Sequence, residues 1–164
     1  NQILYIKNIW KKFVHADHEK NKAFHIAWTR YLFTQTKYNF EDKLIDCMIA
    51  FEALLLKAEE NEGAAYKLAL RVTYFLKKDF NKNQLFDYIK KSYNLRSKVV
   101  HGSNTKENAI KFNSKTLEIE RVIDELLAIL EAIFRNYILN FYKLPINEMI
   151  DQIDNGIINS FDKK

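Results

Sequence analysis

The chain has 164 residues, enough for one domain with its own core, and its three glycines lie too far apart for a Walker loop or a dinucleotide turn. Its one cysteine, Cys47, excludes an internal disulfide and a cysteine-based zinc site and is typical of a reducing compartment. The 26 basic and 21 acidic residues give a net charge of +5, which fits a polyanionic partner and equally fits ordinary lysine-rich helix faces.

Apolar residues at helical spacing predict a first helix over 3–14. The polar run 15–22 that follows is either a loop or an exposed length of helix. A second amphipathic helix is expected over 23–38. Asn39 can cap the next helix, over 41–57, which is apolar nearly all round and therefore belongs at the centre of a bundle.

Two further helices are expected over 64–78 and 84–101. Asn81 with Gln84 three positions later has the form of a capping box, which marks the start of the second of these helices. Gly102 follows its last turn, where glycine commonly ends a helix.

The polar stretch 103–114 is expected to be an exposed loop. The clearest apolar stripe predicts the longest helix, over 116–142, and Pro145 is expected at the first position of a short terminal helix. No segment alternates with period two. The sequence therefore predicts an all-α bundle of five or six helices in one domain, residues 1–164.

No apolar stretch approaches the roughly 20 residues of a membrane span, and no signal-peptide pattern opens the chain. We therefore expect a cytoplasmic protein with no membrane partner. The chain begins at Asn1 with a pattern that is already periodic, so we expect it to be an excerpt of a longer one.

Two sets of residues are weak candidates for chemistry. His15, His18 and His25 have spacings that a helix could bring together around a metal, but their surroundings are polar and no carboxylate stands at a matching position. Cys47 lies in the most apolar helix, where a thiolate is costly, so we interpret it as a buried residue and not a nucleophile.

The segment from Tyr93 to Gly102 is the stronger candidate, because it ends a helix with Arg96 and His101 in close order. Histidine can remove the proton of a ribose 2′-hydroxyl near neutral pH, and arginine can hold the phosphate where charge accumulates. These two groups can cleave RNA without a metal. Five helical positions turn the chain by about 500°, so the two residues point about 140° apart, and a second copy across a two-fold axis could complete the site.

Read with its surroundings, this segment resembles the HEPN superfamily, and in particular its Apea-like branch. The helix end of that branch corresponds here to Tyr93, Arg96, Val99, Val100, His101 and Gly102. Three upstream stretches are also similar, namely 41–46, 50–54 and 68–72. The resemblance covers about residues 30–140.

The resemblance implies a helical domain that dimerises, so that two Arg/His motifs meet in one cleft. It implies a metal-independent endoribonuclease without a cofactor, which leaves a 2′,3′-cyclic phosphate and serves in a toxin or defence setting. His101 would be the general base or acid, and Arg96 the phosphate clamp. Ser97 stands where many members have Asn, Asp or His, so its assisting role is open. The implied partners are RNA, a second copy, and an antitoxin or an upstream sensor domain.

Two carboxylates, Asp46 and Glu52, interrupt the apolar helix, where each needs a cation or a backbone donor. Arg96 or Arg71 would serve. Glu52 either orients the Arg96 and His101 pair or forms a purely structural ion pair.

Four residues near the motif are candidates for RNA contacts. Lys90, Lys91 and Lys98 add positive potential for a phosphate backbone, although lysine clusters are also usual on solvated faces. Tyr93 either stacks on an unpaired base or packs in the core or a dimer seam.

Two other functions stay open. The first is a non-catalytic helical dimerisation module that binds RNA, a nucleotide or a partner protein and assembles through the 116–142 helix. The second is a scaffold in which Arg96 pairs with Glu52 and His101 merely caps a helix.

Overall fold

A computed structural model describes residues 2–16, 21–77, 80–102, 109–112 and 115–161. In these ranges the protein is predominantly helical, with seven helices and one antiparallel pair of short strands, so the predicted all-α class is confirmed with one helix more than expected. None of these helices is long and apolar enough to cross a membrane. In chain order the elements are α1 (Gln2–Ala16), α2 (Lys22–Thr36), α3 (Phe40–Leu55), α4 (Ala64–Phe75), α5 (Lys82–Val100), β1 (Ala109–Phe112), β2 (Lys115–Glu118), α6 (Ile119–Asn140) and α7 (Ile146–Ile158).

Helix α3 lies at the centre of the fold, as its apolar sequence predicts. It contacts α2, α4, α5, α6 and α7. Asn39 caps it, because the side-chain oxygen of Asn39 accepts a hydrogen bond from the backbone N–H of Asp42 at 3.1 Å. Removal of its apolar side chains from water is the main contribution of α3 to stability. Its largest wholly inaccessible side chains are Leu44, Met48, Phe51, Leu54 and Leu55.

Helix α6 packs its apolar stripe against α3. Leu126, Leu130 and Ile133 in this stripe are wholly inaccessible. The chain's own core therefore covers this stripe. Tyr137 in the same stripe is also inaccessible, and its hydroxyl accepts a hydrogen bond from the Asn21 side chain at 2.6 Å and donates one to the Leu144 carbonyl.

The strands β1 and β2 correct two predictions. The sequence predicts a loop over 103–114 and a helix from Thr116, but β1 pairs with β2, and α6 begins only at Ile119. Ile110 lies opposite Leu117 in this pair and is buried. Strands of four residues are too short for alternation to stand out from a polar loop. The other residues of the predicted loop lie outside the described ranges.

The predicted cap and terminating glycine of α5 are confirmed, although the helix begins at Lys82, two positions earlier than predicted. The side-chain oxygen of Asn81 accepts a hydrogen bond from the backbone N–H of Gln84 at 3.2 Å. Gly102 follows the helix with a φ of 64°, in the left-handed region that favours glycine. Pro145 lies one position earlier than predicted, as the residue that precedes α7 and not as its first helical residue.

Arg71 on α4 joins three parts of the chain. Its side chain is buried, and its guanidinium donates five hydrogen bonds. Two go to the Asp154 carboxylate on α7, two to the Glu60 carboxylate in the loop before α4, and one to the carbonyl of Leu55 at the end of α3. These bonds satisfy all the N–H groups of an arginine.

Candidate functional site

Arg96, Tyr93 and Glu52 line one open pocket with a volume of about 550 Å³. Tyr93 and Arg96 are three positions apart on α5, so they lie on one face of that helix. Glu52 comes from the last turns of α3. Helix α5 is held against the fold by its buried residues, which include Leu85, Ile89 and Leu95, and the half-buried Arg96 directly follows this apolar stripe.

The Tyr93 hydroxyl lies near the Glu52 carboxylate. Burial and then the negative charge of Glu52 raise the pKa of Tyr93, and the positive charge of Arg96 acts against them. Tyr93 is therefore protonated at neutral pH. Tyr93, Glu52 and Arg96 thus lie close together on the wall of the pocket.

The guanidinium of Arg96 has an unsatisfied donor. Its Nε is buried and has no hydrogen-bond partner. Among the described residues no ion pair joins Arg96 to Glu52, so the pair that the scaffold interpretation requires is not formed. A buried donor without a partner costs about 1–3 kcal/mol.

His101 lies apart from this pocket. It is exposed at the end of α5, where its backbone N–H donates to the Ser97 carbonyl at 3.1 Å. Its side chain is not among those that line the Arg96 pocket. The two residues diverge in the way that five helical positions predict. Within one chain Arg96 and His101 thus do not share a pocket, and their meeting across a dimer stays a prediction.

The other candidates on α5 flank Arg96. Ser97 is half-buried, whereas Lys90 and Lys98 are exposed. Lys91 forms an ion pair with Asp87 at 2.6 Å, one turn earlier on the helix. Exposed pairs of this kind are weak, so all three lysines can contribute to a positive potential along the helix.

Asp46 lies elsewhere in the fold. It is buried on the α2 side of α3, where it pairs with Arg30 at 3.0 Å and with Lys37. The prediction that Arg96 or Arg71 is its cation is wrong. Six positions turn a helix by about 600°, which leaves the side chains of Asp46 and Glu52 about 120° apart around the axis. The two residues therefore face different neighbours.

The ion pairs around Arg71 border the pocket, because Glu60 is one of the residues that line it. The hydrogen bonds from Arg71 lower the pKa of Glu60 to about 2, against the opposing effect of burial. Glu60 and Asp154 lie 11 and 83 positions from Arg71, separations that carry no local pattern. Sequence reasoning missed this cluster, and an arginine inside an apolar helix was its only signal.

The weak candidates stay apart from the pocket. Among the described residues no three His, Cys, Asp or Glu form a group that could hold a metal ion. His15 packs edge-on against Tyr142, His25 is exposed on α2, and His18 lies outside the described ranges. Burial raises the pKa of the Cys47 thiol to about 12, which disfavours the thiolate as the sequence predicts.

Comparisons of this chain with protein-family models, with curated proteins and with solved structures found no match. The resemblance to the HEPN superfamily stays a prediction from the sequence motif.

Proposed function

We propose that this chain is a metal-independent endoribonuclease of HEPN type that works as a homodimer. The observation that supports it is the half-buried Arg96, whose Nε has no partner, five positions before the exposed His101 on one helix. Arginine and histidine are the groups that phosphoryl transfer from a ribose 2′-hydroxyl requires when no metal takes part.

In the proposed reaction, the imidazole of His101 takes the proton of the 2′-hydroxyl. The freed oxygen attacks the adjacent phosphorus, the bond from phosphorus to the 5′-oxygen breaks, and that oxygen leaves with a proton from a water molecule. The products are a 2′,3′-cyclic phosphate and a 5′-hydroxyl. Arg96 donates hydrogen bonds to the non-bridging phosphate oxygens, where negative charge grows in the transition state.

The proposal requires a dimer because the Arg96 and His101 side chains of one chain point in different directions. Arg96 faces the pocket beside Glu52, whereas His101 faces solvent at the helix end. A two-fold axis near the end of α5 would place the arginine of each copy beside the histidine of the other. The toxin or defence setting, with an antitoxin or a sensor domain as partner, is the context that the family resemblance implies.

The first test is cleavage of RNA by the purified chain in EDTA, with analysis of the product ends. We expect cyclic phosphate ends from the parent and a loss of at least about 100-fold in rate for Arg96→Ala and for His101→Ala. Lys98→Ala is the matched control, an exposed cation between them, and should change the rate by only about 2-fold. A requirement for added metal, or variants as fast as the parent, would contradict the mechanism.

The second test asks whether one site uses both copies. Mixing Arg96→Ala chains with His101→Ala chains produces mixed dimers in which one of the two composite sites is intact. Random exchange should therefore restore about a quarter of the parent rate. A site built within one chain would show no such recovery.

A second candidate function is a non-catalytic module that binds RNA or a nucleotide. The specific observation in its favour is that the Arg96 pocket is complete in one chain without His101. Such a module would bind RNA in EDTA with an Arg96-dependent affinity and leave it uncut.

A further inference from the structure

We propose that the Arg96 pocket holds a guanine base of the RNA, and that the Glu52 carboxylate accepts hydrogen bonds from its Watson–Crick edge. The inference rests on the proposed function, because it names the nucleotide that this ribonuclease places beside the scissile phosphate. It assigns Glu52 a role in base selection and leaves Arg96 its role on the phosphate.

The size of the pocket suits a single base. Its volume of about 550 Å³ lies within the range of about 300–1,000 Å³ that is typical of small-molecule sites. Small side chains from α2, α3, α4 and the loop between α3 and α4 keep it open, and larger residues at these positions would fill it. They are Ala23, Ala53, Ala58 and Ala64.

The charges along the pocket favour a ligand with N–H donors over a bare anion. Glu52, Glu59 and Glu60 line it, against the two cations Lys57 and Arg96. A neutral ring with donors on one edge would find acceptors.

Two of these five charges already have ion-pair partners. Glu60 is held by Arg71, and Lys57 is paired with Asp151 on α7. Among the described residues no ion pair engages Glu52, which is half-buried beside Tyr93, whereas Glu59 is exposed to solvent. A carboxylate has about four acceptor positions, so Glu52 keeps most of its capacity for a ligand.

Guanine matches a carboxylate better than the other RNA bases do. Its N1–H and N2–H₂ groups are adjacent donors that can reach both carboxylate oxygens. Adenine and cytosine offer one amino group beside a ring acceptor, which a carboxylate repels. Uracil offers a single N–H between two carbonyl groups. Unpaired RNA bases are commonly bound in this way, by their edges and beside an aromatic residue such as Tyr93.

The test is equilibrium binding of single nucleotides, which does not require cleavage. We expect the parent chain to bind 5′-GMP about 10-fold or more tightly than AMP, CMP or UMP, in a titration followed by NMR. Guanosine without phosphate should keep the preference. Glu52→Gln should abolish it, and Glu62→Gln, at an exposed position of the loop between α3 and α4 outside the pocket lining, should leave it intact.

Equal affinity for the four nucleotides, or an unchanged preference in a folded Glu52→Gln variant, would overturn the inference. If Glu52→Gln does not fold, Ala58→Leu provides the second variant, because it fills the pocket from an exposed loop position and should also abolish GMP binding. The ribonuclease proposal and the guanine-site proposal can be refuted independently. Glu52-dependent GMP binding without RNA cleavage refutes only the ribonuclease, and metal-independent cleavage without guanine preference refutes only the base site.

Discussion

Two arginines of this chain have opposite environments. Every N–H group of Arg71 has an acceptor, whereas the Nε of Arg96 is buried with none. An arginine whose donors are all used inside the chain stabilises the fold. A buried donor without a partner lowers stability, so Arg96 does not serve the fold in the way that Arg71 does.

Arg71→Lys should destabilise the protein by about 2–4 kcal/mol, because lysine keeps the charge but cannot form two bidentate pairs with Glu60 and Asp154. The free energy of unfolding in urea measures this loss. Arg121→Lys is the matched control, since Arg121 pairs with Glu125 on an exposed face, and it should change stability by less than about 0.5 kcal/mol. Similar small losses in both variants would contradict the role given to Arg71.

The part of the candidate site whose residues are close together in the sequence was predictable. Tyr93, Arg96 and His101 stand within nine positions of one helix, and both ends of that helix follow from Asn81 and Gly102. The cations that meet Asp46 come from a different helix and its C-terminal cap, and no spacing along the sequence encodes that contact.

At the scale of elements, α4 and α7 approach closely at one glycine. A Cβ atom on Gly156 would lie 2.6 Å from Cζ of the Tyr74 ring, well inside van der Waals contact. Lys77 lies over the same ring, with its Nζ 4.0 Å from the ring centroid. The glycine therefore allows the Tyr74 side chain to pack directly on the backbone of α7.

Gly156→Ala should lower the free energy of unfolding by about 1 kcal/mol, because the clash with Tyr74 outweighs the better helix propensity of alanine. In a Tyr74→Ala background the same substitution should stabilise the protein by about 0.5–1 kcal/mol, since only the propensity gain is left. A double-mutant cycle in urea measures both values. The same sign in both backgrounds would contradict the close approach.

The elements differ in how far the sequence determines them. Helices with long apolar stripes, such as α3 and α6, were predictable as helices to within a few residues at each end. The pair β1 and β2 was not, because each strand has four residues and its pairing depends on contacts with the rest of the fold.

At the scale of the whole molecule, the carboxylate of Glu60 links α4 to the preceding loop and borders the candidate site. Hydrogen bonds from Arg71 lower its pKa from an ordinary 4.5 to about 2. A carboxyl whose pKa is lower in the folded state stabilises the protein above its unfolded pKa. That contribution is lost as the pH falls through the folded pKa.

The thermal midpoint should therefore fall between about pH 4.5 and pH 2, and this fall should be smaller in Glu60→Gln. The variant should be less stable than the parent at pH 7 and should approach it at pH 2. Thermal unfolding followed by circular dichroism across this range checks both statements. Glu62→Gln, an exposed position in the same loop, should follow the parent curve, and an identical slope for Glu60→Gln would refute the assignment.

The hydroxyl of Tyr137 connects two junctions that are distant in sequence. It accepts from Asn21, the residue that caps α2, and donates to Leu144 in the turn between α6 and α7. The hydroxyl proton is shielded in the core and bonded to the Leu144 carbonyl. It therefore exchanges slowly with water and gives its own NMR signal. The signal of this proton depends on the contacts at both junctions. A change in it on addition of RNA, or on dimerisation, would therefore show that one of these junctions is disturbed.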